Sequence, residues 1–130
     1  MSHSLPNSLG RSLHQFFADY LPRLRGLSPH TICSYRDTFT LLLRFAESYR
    51  HRAVAVLDLD DLDADLLFAF LDHLEQKRGS SAATRNVRLA AIHAFFRYLP
   101  SRYPERLEQS QRIIAVPFKR SSYRAVEYLE

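Results

Sequence analysis

Apolar residues recur at spacings of three and four along nearly the whole of this chain, and only three glycines interrupt it. That period lays one apolar stripe along a helix, whereas a half-buried strand needs strict alternation. The sequence is therefore confined to helix-on-helix packing, an all-α class. Leu9, Leu13, Phe16, Phe17, Tyr20, Leu21 and Leu24 predict a first helix over about Leu9 to Leu24, kinked by Pro22 and stopped at Gly26. A second helix has the clearest start. Ser28 is a cap, and Pro29 occupies the first helical position, where a missing N–H costs nothing. Ile32, Tyr35, Phe39, Leu42, Leu43, Ala46 and Tyr49 form its stripe.

Ala53 to Leu62 alternates apolar and acidic residues, but a lone strand would lack a partner, so an extended loop is expected. Asp63 caps a third helix that turns Leu66, Leu67, Phe70, Leu71 and Leu74 inward and ends at Gly79. A fourth helix runs from Ser80-Ser81 to about Leu99. Val87, Ala91, Ala94 and Tyr98 form one of its apolar rows, and Leu89, Ile92 and Phe96 lie on others, as on a central helix with neighbours all round. Pro100 and Pro104 are expected to break it, with a short fifth helix near Glu105–Arg112. This divides the chain into a helical body, residues 1–112, and a basic linker, residues 113–130. Glu130 has no cap or apolar anchor, as in a segment of a longer protein.

A length of 130 residues suits one domain with a real core. Cys33 is the only cysteine, which rules out an intrachain disulfide and a cysteine-rich zinc site. No apolar run approaches the ~18 residues of a membrane span, and no signal-peptide core is present, so a cytoplasmic protein is expected. Sixteen of eighteen basic residues are arginine, whose fork matches phosphate oxygens two at a time. Residues 1–56 are net +4, residues 57–75 net −7 and residues 76–130 net +7. Charge alone leaves two readings open, a polarised surface or a solvated mixture of both signs.

Helices two and four begin alike, Ser28-Pro29-His30-Thr31 and Ser81-Ala82-Ala83-Thr84, with hydroxyls beside free backbone N–H groups that attract phosphate. Capping alone accounts for these residues. It does not account for Arg85 and Arg88, because cations in a helix's first turns oppose its dipole by a few tenths of a kcal/mol. A bound phosphate backbone would.

Leu27-Ser28-Pro29-His30-Thr31-Ile32-Cys33-Ser34-Tyr35-Arg36-Asp37 resembles the second helix of the core-binding domain of tyrosine recombinases, the phage integrase family, whose pattern is L-S-x-x-T-x-x-x-Y-x-x-D. The segment from Ser81 to Leu99 is similar to the fourth helix of that domain, S-x-x-T-x-x-R-x-L-a-A-i-x-x-F-f-x-y-L. The spacing of the blocks and the acidic third helix also fit. The resemblance covers about Leu9 to Arg112, is nearest to recombinases of mobile elements, and makes Val116–Glu130 similar to the linker into a catalytic domain.

The resemblance implies a compact SAM-like bundle of four to five helices, half of a C-shaped clamp on duplex DNA with helices two and four at the major groove. Carried over, the DNA-binding candidates are Ser28, His30, Thr31 and Ser34, then Ser81, Thr84, Arg85 and Arg88, with Lys119, Arg120 and Arg124 along the backbone. It also implies assembly with other recombinase subunits as a tetramer on DNA, in a nucleoid-associated setting. The family's tyrosine nucleophile and its arginines, lysine and histidines belong to a catalytic domain. None of the seven tyrosines here sits in such a motif, and Tyr35, Tyr49 and Tyr98 read as core. No catalytic residue, cofactor or metal is expected. His30 and Cys33 lack a second ligand pair, and Asp58, Asp60, Asp61, Asp63 and Asp65 lack the glycine and glutamate of a calcium loop, so a solvated acidic face is the better reading. The alternative is a protein–protein interaction module whose acidic third helix docks on a neighbouring subunit.

Overall fold

The computed structural model describes residues 7–120, and within them every regular element is helical. Helix α1 covers Ser8–Gln15, α2 Pro29–Arg50, α3 Ala64–Gln76, α4 Ala82–Arg102 and α5 Leu107–Ile114. None is long and apolar enough to cross a membrane.

Asn7 caps α1 by accepting from the Gly10 N–H. Where one α-helix to Leu24 was expected, the helix changes gauge. Phe16–Leu24 winds as a π-helix, and the Arg25 N–H reaches the Tyr20 carbonyl five residues back. Pro22 supplies the reason: its ring clashes with the carbonyl four residues earlier in an α-helix, and a widened turn relieves that clash. Gly26, at φ +64°, then turns the chain into α2.

The core is an aromatic cluster contributed by three helices. Phe16 meets Phe95 edge-on at 5.3 Å between ring centroids, and Phe39 meets Phe95 at 5.4 Å. Edge-to-face contacts of this kind add to the value of the buried area. Leu66, Leu67, Phe70, Leu71 and Leu74 of α3 are all buried, as their spacing predicts. Helix α4 is central, with Leu89, Ala91, Ile92, Phe95, Phe96, Tyr98 and Leu99 buried.

Several expectations change. Helix α4 does not stop at Leu99 but carries Pro100 internally and ends at Arg102. A proline there removes a single rung, from its own nitrogen to the Phe96 carbonyl, and only two helical residues follow it. Helix α5 begins after a 3-10 turn at Pro104–Arg106, and the packed body extends beyond residue 112 because Ile113 and Val116 are buried. Tyr98 is core, but Tyr35 is only half-buried, and Tyr49 is 41% exposed and stacks on Phe45. Tyr49 lies in the last turn of α2, past the reach of the central helix.

The acidic connector is a solvated face only in part. It forms two 3-10 turns, Val54–Val56 and Leu59–Asp61, in which Asp58 and Asp61 turn toward backbone amides, while Asp60, Asp63 and Asp65 stay exposed. Asp58 accepts from the Leu9 N–H at 2.9 Å and from the Leu59 N–H at 2.8 Å. Asp61 accepts from the Asp58 N–H, Asp63 pairs with Arg50 at 2.9 Å, and Asp60 contacts Arg106. A segment outside any regular ladder must find acceptors for its backbone donors, and short aspartates supply them locally. Only Asp65 of the five is left on the open face of α3 without such a tie.

Candidate nucleic-acid interface

Helices α2 and α4 start with the same geometry. Ser28 Oγ accepts from the Thr31 N–H at 3.2 Å and donates to Thr31 Oγ1 at 3.1 Å. Ser81 Oγ accepts from the Thr84 N–H at 3.1 Å and donates to Thr84 Oγ1 at 3.2 Å. Each cap satisfies one first-turn amide and leaves others without an intrahelical acceptor. Each helix end also carries roughly half a positive charge, which favours an anion.

Between these two starts runs an open groove of about 320 Å³ lined by His30, Cys33, Ser34, Asp37, Thr84, Val87 and Arg88. Four of the sequence candidates, His30, Ser34, Thr84 and Arg88, therefore meet in one depression. Arg88 reaches across it. Its Nη1 donates to Thr38 Oγ1 at 3.1 Å and to the Ser34 carbonyl at 3.5 Å. Thr38 is buried and passes its own proton to the Ser34 carbonyl at 3.2 Å. The guanidinium is thus braced by α2 through one nitrogen, while a fork has five N–H groups in all. That arrangement holds a cation at fixed orientation in a groove between two positive helix ends, with the Asp37 carboxylate on the same lining.

The other candidates are distributed differently. Ser28, Thr31 and Ser81 lie at the helix starts as half of each cap. Arg85 turns away from the groove. It is only 7% exposed, and its Nη1 donates to Asn86 Oδ1 at 3.1 Å and to the Pro117 carbonyl at 3.3 Å. Lys119 forms an ion pair with Glu75 at 2.8 Å. Arg120 is exposed, and Arg124 lies outside the described residues.

The groove also contains residues that sequence reasoning did not place there. Val87, expected in an apolar row of the core, is 51% exposed. Its position three residues after Thr84 puts it beside Thr84 on one face of α4, and that spacing was the available signal. Cys33 and Asp37 follow His30 at three and seven positions, again one helical face. Among the described residues no group of three or more His, Cys, Asp or Glu is arranged to hold a metal ion.

His93 is the one histidine of α4 and is buried beneath the chain that follows α5. Its ring meets Phe118 edge-on at 5.2 Å. Both ring nitrogens are buried without a hydrogen-bond partner. Burial first, and the Arg97 charge second, push its pKa below the ordinary value of 6.5, which keeps it neutral.

Residues 13–103 match the family described as phage integrase, N-terminal SAM-like domain. A Sinorhizobium fredii protein, y4rC, named as an integrase/recombinase, is 47% identical over 122 residues, which is 94% of this chain and 37% of the relative. A second from the same organism, y4rD, is 39% identical over 90% of this chain and 42% of its own length. A tyrosine recombinase XerC of Rhodospirillum centenum is 34% identical over 61% of this chain and 23% of its own. The chain thus spans well under half the length of these relatives. No solved structure matches it.

Proposed function

This chain belongs to the family of phage integrase N-terminal SAM-like domains, and from that premise we propose that it is a duplex-DNA-binding domain of a site-specific tyrosine recombinase. The observation that carries the reading is the groove between the starts of α2 and α4, with Arg88 braced inside it. Phosphates engage the open amides at the two helix starts and the Arg88 fork, and these contacts set position. His30, Ser34 and Thr84 line the same groove, and in this reading they are the residues that meet base edges and carry sequence preference. Ser28, Thr31 and Ser81 act through the caps they form. Arg120, exposed and outside the groove lining, follows the DNA backbone in this reading, as does Arg124.

In this reading the domain itself is non-catalytic. Phosphoryl transfer needs a preorganised cationic cradle around the reacting phosphate, and that cradle is assigned to a separate catalytic domain. Assembly with other recombinase subunits on DNA, a role in a mobile element and a nucleoid-associated, cytoplasmic setting accompany the proposal. The interaction-module alternative, in which the acidic third helix docks on a neighbouring subunit, is not favoured, because the family match and the integrase/recombinase relatives support DNA binding and Glu75 of α3 is already paired with Lys119.

The test is fluorescence anisotropy of labelled duplex DNA at about 50 and 200 mM salt. Binding that weakens with salt supports the reading, and absence of binding at the lower salt overturns it.

A further inference from the structure

The segment after α5 is not free of the helical body. Asn86 grips it by both backbone groups: its Nδ2 donates to the Lys119 carbonyl at 2.7 Å, and its Oδ1 accepts from the Lys119 N–H at 2.9 Å. One residue earlier, Arg85 donates to the Pro117 carbonyl at 3.3 Å. Glu75 of α3 takes the Lys119 ammonium at 2.8 Å, Val116 is buried, and Phe118 rests its ring on His93. Four consecutive residues, Val116 to Lys119, are therefore each held by a different group of α3, α4 or the core. A linker acting only as a tether would not need a bidentate grip on its backbone.

The holding residues Arg85 and Asn86 directly follow Thr84, which lines the groove, and Arg88 lies two positions on. Around the helix Asn86 points some 160° away from Arg88, so the two sides of the same two turns face different tasks. We propose that Asn86 is a positioning residue that fixes the direction in which the chain leaves this domain, so that α4 both faces the DNA and aims whatever follows Arg120. The inference rests on the DNA-binding reading for its purpose but not for its geometry. The basic residues of the segment acquire a division of labour: Lys119 belongs to the latch through Glu75, whereas Arg120 beyond it is exposed.

The experiment uses the full 130-residue chain without DNA, and reads amide hydrogen exchange at Lys119 by NMR beside thermal unfolding. The hydrogen bond from the Lys119 N–H to Asn86 Oδ1, steadied by the bond to the Lys119 carbonyl, predicts a Lys119 amide protected roughly tenfold or more over an unstructured chain. Asn86→Ala should abolish that protection while leaving the melting temperature equal or higher, since alanine is the better helix former. Asn86→Asp retains an acceptor for the N–H but sets a carboxylate against the Lys119 carbonyl, so it should not rescue. A Lys119 amide that exchanges at the free rate in the unsubstituted chain, or protection that survives Asn86→Ala, overturns the proposal. A companion measurement places nitroxides at Thr40→Cys and Arg120→Cys in a Cys33→Ser background. The distance distribution should be narrow and should broaden with Asn86→Ala. On duplex DNA, Asn86→Ala should keep affinity within about twofold; a loss as large as that of an Arg88 substitution would make Asn86 a contact residue instead. Failure of DNA binding altogether sinks the proposed function but leaves the exchange result standing, so the two failures are separable.

Discussion

Arg88→Gln removes the groove's cation while keeping a donor for Thr38, and the consequence can be worked out from the charge inventory. Five cations were expected at DNA, but Arg85 is buried against Pro117 and Lys119 is paired with Glu75. That leaves Arg88, Arg120 and Arg124, of which the first two are placed by the structure. With two to three phosphates neutralised, log affinity should fall against log salt with a slope of about −2 to −3, against about −4.5 had all five engaged. Raising salt from about 50 to 200 mM then weakens binding roughly 10- to 40-fold. Arg88→Gln should bring the slope about 0.9 nearer zero and weaken binding similarly on every sequence, as loss of one phosphate contact does. Anisotropy titrations at four or five salt concentrations measure both slopes. An unchanged slope in the variant would refute the assignment of Arg88 to phosphate. A parent slope near −4.5 would show that Arg85 and Lys119 leave their partners on DNA.

Arg85→Met should leave the affinity for duplex DNA nearly unchanged, because the side chain serves Pro117, and this is checked in the same titrations; a loss equal to that of Arg88→Gln would contradict the placement. Phe95→Ala, which removes the hub of the aromatic cluster, should cost about 3–5 kcal/mol in denaturant unfolding, whereas Tyr49→Ala at the exposed end of α2 should cost less than about 1 kcal/mol. His93 has a folded-state pKa below its unfolded value of 6.5, so its neutral form contributes stability that is present above pH 6.5 and is lost as the pH falls through the folded pKa. Melting curves between pH 7.5 and 5 should show the decline, and His93→Phe should flatten it; a variant that declines as steeply as the parent assigns the effect to other groups.

Local chemistry wrote much of this molecule into its sequence. Ser28-Pro29, Asp63 and Ser81 open three helices where a cap and its following amides lie within four residues of each other, and such contacts need no knowledge of the rest of the chain. The apolar stripe of α3 is legible for the same reason, as is the membership of one family, since it rests on the order of two short blocks. Three features were decided by partners far away in sequence. Arg85 and Arg88 are indistinguishable as text, yet they lie about 60° apart around α4 and one turn apart along it, and this sends one to Pro117 and the other into the groove with Thr38. The aspartates of the connector read alike as text, yet the Leu9 amide draws Asp58 inward while Asp60 and Asp63 stay exposed beside Arg106 and Arg50. Val87 and Tyr49 obey the apolar period of their helices but sit where no neighbour covers them. Periodicity specifies which residues share a face; only the packing of five helices specifies whether that face meets the core, the groove or water.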